Sequence, residues 1–220
     1  MISREYSAKN EDSGGRITKI AFQKKRVDRR SVFIDGDYAF SVSEATFRLF
    51  PLQQDQWLTA KQIEIIKNHE DFEKTREAAL KYLALRMRSE FELKSYLKRK
   101  GFSPQNIRRV LNYFREHRYL DDRKFAELLV RDMTTINRYG RYKMIAQLHK
   151  RGISSTTIKE VLAEHIDTSD QLQNALTLAE KKLASLKNTG SVREKLYRYL
   201  KQRGFDYAVI TEVINRLLKT

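Results

Sequence analysis

The chain of 220 residues contains no cysteine. This absence excludes disulfide bonds, thiolate metal sites and a cysteine nucleophile, and it fits a reducing compartment. Only two prolines and eight glycines occur, which argues against a turn-dense all-β protein and favours long helices. No apolar run approaches the length of a membrane span or of a signal-peptide core. We therefore expect a cytoplasmic protein without membrane contact.

Sequence signatures of catalysis are equally scarce. The chain has no phosphate-cradling G-x-x-x-x-G-K loop, no H-E-x-x-H and no G-x-S-x-G. The four histidines are scattered and lack the spacing of metal ligands; they are His69, His117, His149 and His165. We expect neither an enzyme nor a bound cofactor or metal ion.

One pair of adjacent carboxylates, Asp121 and Asp122, needs a separate explanation. Two such groups could hold Mg²⁺ in a nuclease. They stand directly before a helical pattern, however, so that one can cap the helix and the other can complement its dipole. No third carboxylate or histidine accompanies them, and we therefore favour the capping interpretation.

Positive charge is present in large excess and is concentrated in the centre of the chain. Lys and Arg number 44 against 28 Asp and Glu, a formal net charge of +16. Residues 94–151 alone carry sixteen basic and five acidic side chains. Such a field attracts polyanions or an acidic protein surface. Hydrophobic residues make up 40% of the chain, which is enough for a buried core.

The first quarter of the chain has a β pattern after a polar tail at residues 1–15. Ile17, Ile20 and Phe22 give a loose apolar strand, and Asp35-Gly36-Asp37 separates two further strand-like runs, as in a hairpin with either dipeptide as its loop. A basic loop at 24–30 lies between the first two strands. Ser43 is then the expected N-cap of a short helix that Pro51 ends.

Three glycines mark an internal repeat in the remainder. Gly101, Gly152 and Gly204 lie 51 and 52 residues apart. When the chain is aligned on them, six positions are apolar in every copy: eight and four residues before the glycine, and one, six, nine and ten residues after it. Agreement at so many positions is typical of a repeat protein.

Each repeat is predicted to contain three helices. The glycine ends one helix in a left-handed conformation, and Ser103, Ser154 or Asp206 caps the next, with Pro104 at its first position in the first repeat. A further helix precedes each pair, at 79–88, 125–133 and 175–186. His165 falls on a mainly apolar column, and we expect it to be partly buried and bonded to a backbone carbonyl.

The sequence thus predicts a mainly α fold. Three tandem three-helix repeats form an elongated, curved array after a small N-terminal β-hairpin or three-strand segment. The expected divisions are a flexible tail (1–15), the hairpin with its short helix (16–58), a connecting helix (59–72) and the three repeats (73–121, 122–167 and 168–220).

Twelve basic residues of the first two repeats are the candidates for binding a partner or DNA: Lys98, Arg99, Lys100, Arg108, Arg109, Arg115, Arg118, Arg138, Arg141, Lys143, Lys150 and Arg151. Tyr113, Tyr119, Tyr139 and Tyr142 interleave with them. This mixture suits single-stranded nucleic acid, whose bases stack on aromatic rings. It suits a protein groove equally, and tyrosines that only close the helical cores are a third interpretation.

Several of these features together resemble the regulatory protein RecX family. The resemblance rests on residues in a fixed order along the chain: Arg86, Ser89, Glu92, Leu93, Leu97 and Gly101, then Leu120, Asp121, Asp122, Phe125 and Ala126, then Gly140, Ile145, Leu148, Gly152 and Ile153. The hairpin with Tyr38-Ala39-Phe40 is similar to the N-terminal extension of longer members. The third repeat, around Gly204, matches loosely.

The resemblance implies a non-enzymatic negative regulator of RecA recombinase. Members of the family bind RecA and its filament on single-stranded DNA, lie in the filament groove, and depress ATPase, strand exchange and co-protease activity, and so act in recombination, DNA repair and the SOS response. It carries over no catalytic residue. We expect a monomer that also binds single- or double-stranded DNA more weakly and in a salt-sensitive way. The alternative is a helix-turn-helix-like repeat protein that binds DNA without a recombinase partner.

Overall fold

The computed structural model describes residues 14–23, 26–186 and 191–218. Its strands are β1 (Gly15–Gln23), β2 (Arg26–Ile34), β3 (Asp37–Ser43) and β4 (Trp57–Leu58), with α1 (Glu44–Leu49) before β4. The helices that follow are α2 (Ala60–Leu83), α3 (Glu90–Arg99), α4 (Pro104–Glu116), α5 (Asp122–Thr135), α6 (Arg141–Lys150), α7 (Ser155–His165), α8 (Thr168–Ser185), α9 (Val192–Arg203) and α10 (Tyr207–Leu218). The mainly α fold with N-terminal strands is confirmed.

The chain divides into two compact units. One contains residues 1–84 and 97–112, and the other contains residues 85–96 and 113–220. Within the described ranges, every helix is too short or too polar to cross a membrane. The predictions for the tail at 1–13 and for Lys24 and Lys25 of the basic loop fall outside the described residues. The rest of that loop is corrected, since Arg26 to Arg30 lie in β2.

The N-terminal strands form one antiparallel sheet in the order β3-β2-β1-β4. The two-residue loop of the hairpin is Asp35-Gly36, since Ile34 pairs with Asp37. Both loop residues have positive φ, 51° and 95°, as the twist of a tight hairpin requires. Strand β4 was not predicted from the sequence, because two residues are too few to show the alternation of apolar and polar side chains that marks a strand.

The sheet and the first helices enclose a core of their own. It includes Ile17, Val32 and Leu58 from the sheet and Ile66 from α2. Ser43 caps α1 by accepting from the backbone N–H of Thr46, and α1 ends at Leu49, two residues before the proline, as predicted.

A buried ion pair ties α2 to this sheet. Arg29 of β2 and Glu70 of α2 are only 6% and 2% exposed, and their side chains are hydrogen-bonded. Glu70 also accepts from the backbone N–H of Ser43 and the hydroxyl of Thr46, both at 2.8 Å. The acid is thus fully hydrogen-bonded, which is what a buried charge requires.

The repeat prediction is confirmed in detail. The six apolar columns are buried in all three copies, except that Phe102 is half-buried. The three repeat glycines have φ of 82°, 78° and 90°. Ser103, Ser154 and Asp206 each accept from the backbone N–H three residues on, and α4 begins at the predicted proline.

Helix α2 corrects one predicted boundary. The connecting helix and the first helix of repeat 1 are a single helix, which begins after a capping box at Thr59 and ends at Leu83, not at Arg88. Leu80 and Leu83 complete its half-buried stripe, whereas Leu85 is 77% exposed. The apolar residues beyond Leu83 therefore give no core contact that would extend the helix.

The prediction for His165 is wrong. The residue is exposed and is the last residue of α7. The next residue, Ile166, has an extended backbone and packs against the core in its place. Helix α7 therefore ends at the position of the apolar column, and the residue after it makes the core contact.

Candidate partner-binding surface

Five of the predicted basic residues lie in the first unit, on α3, α4 and the turn between them. Lys98 and Arg99 are exposed in the last turn of α3, and Arg108 is exposed on α4. In the described part of the chain, none of these three enters an ion pair. Arg109 lies over the ring of Phe72, 4.6 Å from its centre. Lys98, Arg99 and Arg108 are therefore available to a partner, whereas Arg109, although exposed as well, already has its guanidinium over an aromatic ring.

Two basic candidates of the second unit are held by neighbours. Arg115 of α4 pairs with Glu90 of α3 at 2.6 Å, and this hydrogen bond raises the pKa of Arg115 above its ordinary value. Arg151 donates to the backbone and side-chain oxygens of Gln147. Both side chains stabilise the repeat, and their charges are less available than those of exposed Arg141 and Lys150.

Arg118 and Arg138 occupy left-handed turns after α4 and α5, with φ of 57° and 50°. A non-glycine residue in this region costs about 1 kcal/mol. Glycine or asparagine would form these turns with less strain, so the turns alone do not explain the arginines. Each arginine is followed by a tyrosine, Tyr119 or Tyr139. A basic residue and an aromatic residue therefore stand side by side in the sequence after each of these two helices.

Successive repeats meet at a joint that recurs within the second unit. The hydroxyl of Ser89, which precedes α3, donates to the carbonyl of Arg151, the residue before the second repeat glycine. The backbone N–H of Gly140, which precedes α6, donates in the same way to the carbonyl of Arg203, the residue before Gly204. The glycine turn of one repeat is therefore held by the start of a helix in the repeat before it.

A second hydrogen bond reinforces each joint. The N–H of Glu90 donates to the Asp122 carboxylate at 2.8 Å, and the N–H of Arg141 donates to the Gln171 side chain at 3.0 Å. A side chain near the start of the next repeat thus caps α3 and α6. Asp122 has this role in addition to the expected dipole effect, while Asp121 is the predicted N-cap of α5.

The joint between repeats 2 and 3 carries a cavity that the sequence analysis missed. It has a volume of about 410 Å³ and is lined by Tyr139, Lys143, Tyr199, Gln202 and Arg203. Lys143 is one of the twelve predicted basic residues and Tyr139 is one of the four tyrosines interleaved with them, whereas Tyr199, Gln202 and Arg203 were not predicted. The repeat alignment contained the signal for Arg203, since the residue before each repeat glycine is basic: Lys100, Arg151 and Arg203.

Potential metal ligands come together once in the described residues. Glu127, Glu164 and His165 have ligand atoms within 4.8 Å of one another. Arg123 already pairs with both carboxylates, at 3.2 and 2.6 Å. An exposed ion-pair network explains this arrangement, and Asp121 and Asp122 do not take part in it.

Four family models match the chain in order. They are the regulatory protein RecX N-terminal domain at residues 15–59 and the first, second and third RecX three-helix domains at 76–114, 121–162 and 169–214. The regulatory protein RecX of Clostridium botulinum (strain Eklund 17B / Type B) is 30% identical over 207 residues, which cover 92% of this chain and 96% of that protein. The chain belongs to the RecX family.

Further RecX proteins support the assignment. The regulatory protein RecX of Bacillus subtilis (strain 168) is 32% identical over 203 residues, which cover 91% of this chain and 76% of that protein. A crystal structure of regulatory protein RecX superposes with a TM-score of 0.74 and 27% identity, over 90% of this chain and 98% of that one. The likeness thus extends over both the strands and the helices.

The residues that carry the RecX resemblance have structural roles in this chain. Leu93, Phe125 and Ala126 are buried in the cores of the repeats. Arg86 pairs with Glu92 at 2.9 Å. Burial opposes ionisation of Glu92, but the hydrogen bonds from Arg86 and from the Ser89 backbone outweigh it and hold the pKa of this carboxyl below its ordinary value.

The repeat glycines of the RecX pattern differ in what surrounds them. A Cβ at Gly152 would lie 2.2 Å from the Cβ of Phe91, and one at Gly204 would lie 2.3 Å from the backbone nitrogen of Lys143. A Cβ at Gly101 would meet nothing within 4 Å. The second and third glycines therefore permit both the turn and the joint, whereas the first permits only the turn.

Proposed function

We propose that this RecX-family protein is a non-enzymatic negative regulator of RecA recombinase. It binds the RecA filament on single-stranded DNA in its groove and depresses ATPase, strand exchange and co-protease activity. The observation that carries the proposal is membership of the family along nearly the whole chain, from the N-terminal domain through all three helical domains.

The charge of the chain supports a polyanionic target. The net charge of +16 is concentrated in the centre of the sequence, and Lys98, Arg99 and Arg108 are exposed there. A positive field of this kind speeds association with a DNA-loaded filament and makes binding weaken as salt rises. In this proposal the exposed cations direct the protein to the filament.

Inhibition requires a difference in affinity between filament states. A ligand shifts an equilibrium only as far as its affinities for the two states differ. The regulator therefore depresses ATPase and strand exchange if it binds a less active filament conformation more tightly than the active one. No catalytic group is needed for this mechanism.

Binding to three targets tests the proposal. Fluorescently labelled protein is titrated with RecA filaments assembled on single-stranded DNA, with free RecA and with the same DNA alone, at physiological salt. We expect the filament to bind most tightly. Tight binding to naked DNA with no gain from RecA would instead favour the helix-turn-helix-like DNA-binding protein.

A charge-reversal pair identifies the surface that binds. The double variant Lys98→Glu with Arg108→Glu should weaken filament binding at least tenfold. The matched control is Lys61→Glu with Lys67→Glu, two exposed residues of α2 in the same unit, which should bind within about twofold of wild type. Equal effects in the two pairs would show that only net charge matters and would remove this surface from the proposal.

A further inference from the structure

The cavity at the joint of repeats 2 and 3 is surrounded by positive charge and aromatic rings. Lys143 of α6 and Arg203 of α9 line it together with Tyr139 and Tyr199. Lys182 of α8 reaches the same cluster, with its Nζ 5.7 Å from the centre of the Tyr199 ring. Three elements therefore bring three cations around two tyrosines.

Each of these cations lies beside one or both of the two rings. The guanidinium carbon of Arg203 lies 5.8 Å from the centre of the Tyr139 ring and 5.5 Å from that of Tyr199. The Nζ of Lys143 lies 5.9 Å from the centre of the Tyr139 ring. Arg203 also donates to the Tyr199 hydroxyl at 3.3 Å. The side chains of these three cations and two tyrosines are half-buried.

No carboxylate balances this charge. The cavity lining contains none, and among residues 14–23, 26–186 and 191–218 no ion pair involves Lys143, Lys182 or Arg203. Two other arginines of the second unit do have a carboxylate partner, Arg115 with Glu90 and Arg123 with Glu164. Like charges gathered without a counter-charge repel, and a bound anion removes that repulsion.

We propose that this cavity binds a phosphate and the adjoining base of single-stranded nucleic acid. The cations contact the phosphate, and the tyrosine rings offer stacking surfaces to a base, the combination that single-strand binding sites use. The inference rests on the proposed function and adds a DNA contact in repeat 3, outside the central basic stretch. The volume of about 410 Å³ is within the range of ligand pockets.

The geometry also explains why the joint is a suitable place for such a site. Gly140 and Gly204 bring α6 and α9 together through backbone contact, with the Gly140 N–H donating to the Arg203 carbonyl at 2.9 Å. The joint itself therefore positions the backbone from which the cations of both helices extend. A preorganised site loses less conformational entropy when its ligand binds.

Binding of a fluorescein-labelled oligothymidine strand, measured by anisotropy, tests the site. We expect Lys182→Gln to weaken binding about fivefold and to reduce the salt slope by about one. The matched control is Lys181→Gln, which removes the same charge from the exposed neighbour on α8 and should stay within about twofold of wild type. Tyr199→Leu should weaken binding about fivefold or more through lost stacking.

Two further readouts keep the outcomes distinct. Circular dichroism melting shows whether each variant is folded, and Tyr199→Phe, which keeps the ring, should bind close to wild type if stacking matters. Equal binding by Lys182→Gln and Lys181→Gln would overturn the site, as would an oligothymidine affinity of wild type too weak to measure at low salt. If Lys182→Gln weakens inhibition of RecA but not oligothymidine binding, the cavity contacts protein and the nucleic-acid assignment is wrong.

The regulator proposal is tested separately from this site. If the wild-type protein inhibits RecA ATPase but Lys182→Gln binds oligothymidine as tightly as wild type, the regulator proposal stands. The proposed nucleic-acid site at the cavity is then rejected. Loss of inhibition in wild type would reject the regulator while the oligothymidine titration still decides the cavity.

Discussion

The hydroxyl of Ser89 donates a hydrogen bond of 2.6 Å to the backbone carbonyl of Arg151. This bond crosses from the first helical repeat to the second, and Gly140 forms its counterpart with Arg203 in the next joint. In both joints, the residue that precedes a helix holds the glycine turn of the following repeat. The two joints make the repeats of the second unit a connected array in which neighbours stabilise one another.

The first prediction concerns the double role of Ser89, which also caps α3 by accepting from the Glu92 N–H. Ser89→Ala should lower the free energy of unfolding by about 2–3 kcal/mol, since it removes a cap and a joint hydrogen bond. Ser154→Ala removes only the cap of α7 and should cost about 1 kcal/mol. Urea unfolding followed by circular dichroism measures both; equal losses would contradict the role of Ser89 in the joint.

The second prediction separates steric contact from backbone strain. Gly140 has an ordinary φ of −75°, but an added Cβ would lie 2.2 Å from the carbonyl carbon of Gly204. Gly140→Ala should therefore cost about 2 kcal/mol or more through overpacking. Gly101→Ala, at φ 82° in open space, should cost about 1 kcal/mol through strain alone. Thermal melts that rank the two variants in the opposite order would contradict the joint.

The sequence was sufficient to predict the repeats because their signals are local. Each copy contains a left-handed glycine, an apolar stripe, and a capping residue that accepts a hydrogen bond from the backbone N–H three residues later. All of these signals lie within about 25 residues of sequence. The joints were not predictable, since Ser89 and Arg151 are 62 residues apart. No local pattern distinguishes a capping serine that also donates to a distant carbonyl from one that only caps.

The third prediction follows from the position of Asp122. Burial raises the pKa of its carboxyl, and the nearby carboxylates of Glu90 and Asp121 add to this effect. A raised pKa in the folded state means that the folded protein binds this proton more tightly, so the stabilising contribution is present at low pH and is lost as pH rises through the folded pKa.

Comparison with Asp122→Asn isolates the contribution that ionisation of Asp122 makes to the free energy of unfolding. The amide stays neutral and keeps an acceptor for the Glu90 N–H, so the variant should be at least as stable as wild type at pH 7. The stability of wild type relative to the variant should then rise as pH falls toward 4. Urea titrations of both proteins at each pH measure the difference, and a pH-independent difference would contradict the burial of the charged group. In the nuclease hypothesis the same variant would lose metal-dependent cleavage.

The fourth prediction distinguishes two arginines of α4 that were both predicted from the sequence to bind a partner or DNA. Arg115 pairs with Glu90, so that Arg115→Glu places two carboxylates together and should lower the melting temperature. Arg108 is exposed without an ion pair among the described residues, and Arg108→Glu should leave the melting temperature within about 2 °C of wild type. Equal shifts would contradict the structural role of Arg115. Combined reversal of Arg108, Arg109 and Arg115 would therefore destabilise the protein, not only weaken binding.

The candidate surface was predictable only in part for the same reason. Composition and spacing located the central basic stretch, but burial and pairing decide which charges a partner can use. Arg109 and Arg115 pack on Phe72 and Glu90, and the sequence does not show such contacts. Tyr199 and Arg203 of α9 line the cavity together with Lys143 of α6, and Lys182 of α8 lies over the Tyr199 ring; only the folded chain brings these helices together.

The single-stranded-DNA-dependent ATPase of the cognate recombinase shows whether the protein regulates RecA as proposed. The protein is added well below one molecule per RecA protomer. We expect strong inhibition at that ratio, because a regulator that acts on the assembled filament affects many protomers at once. Unchanged ATPase even at one protein per protomer, with naked-DNA binding intact, would contradict it and leave a DNA-binding protein of the RecX fold.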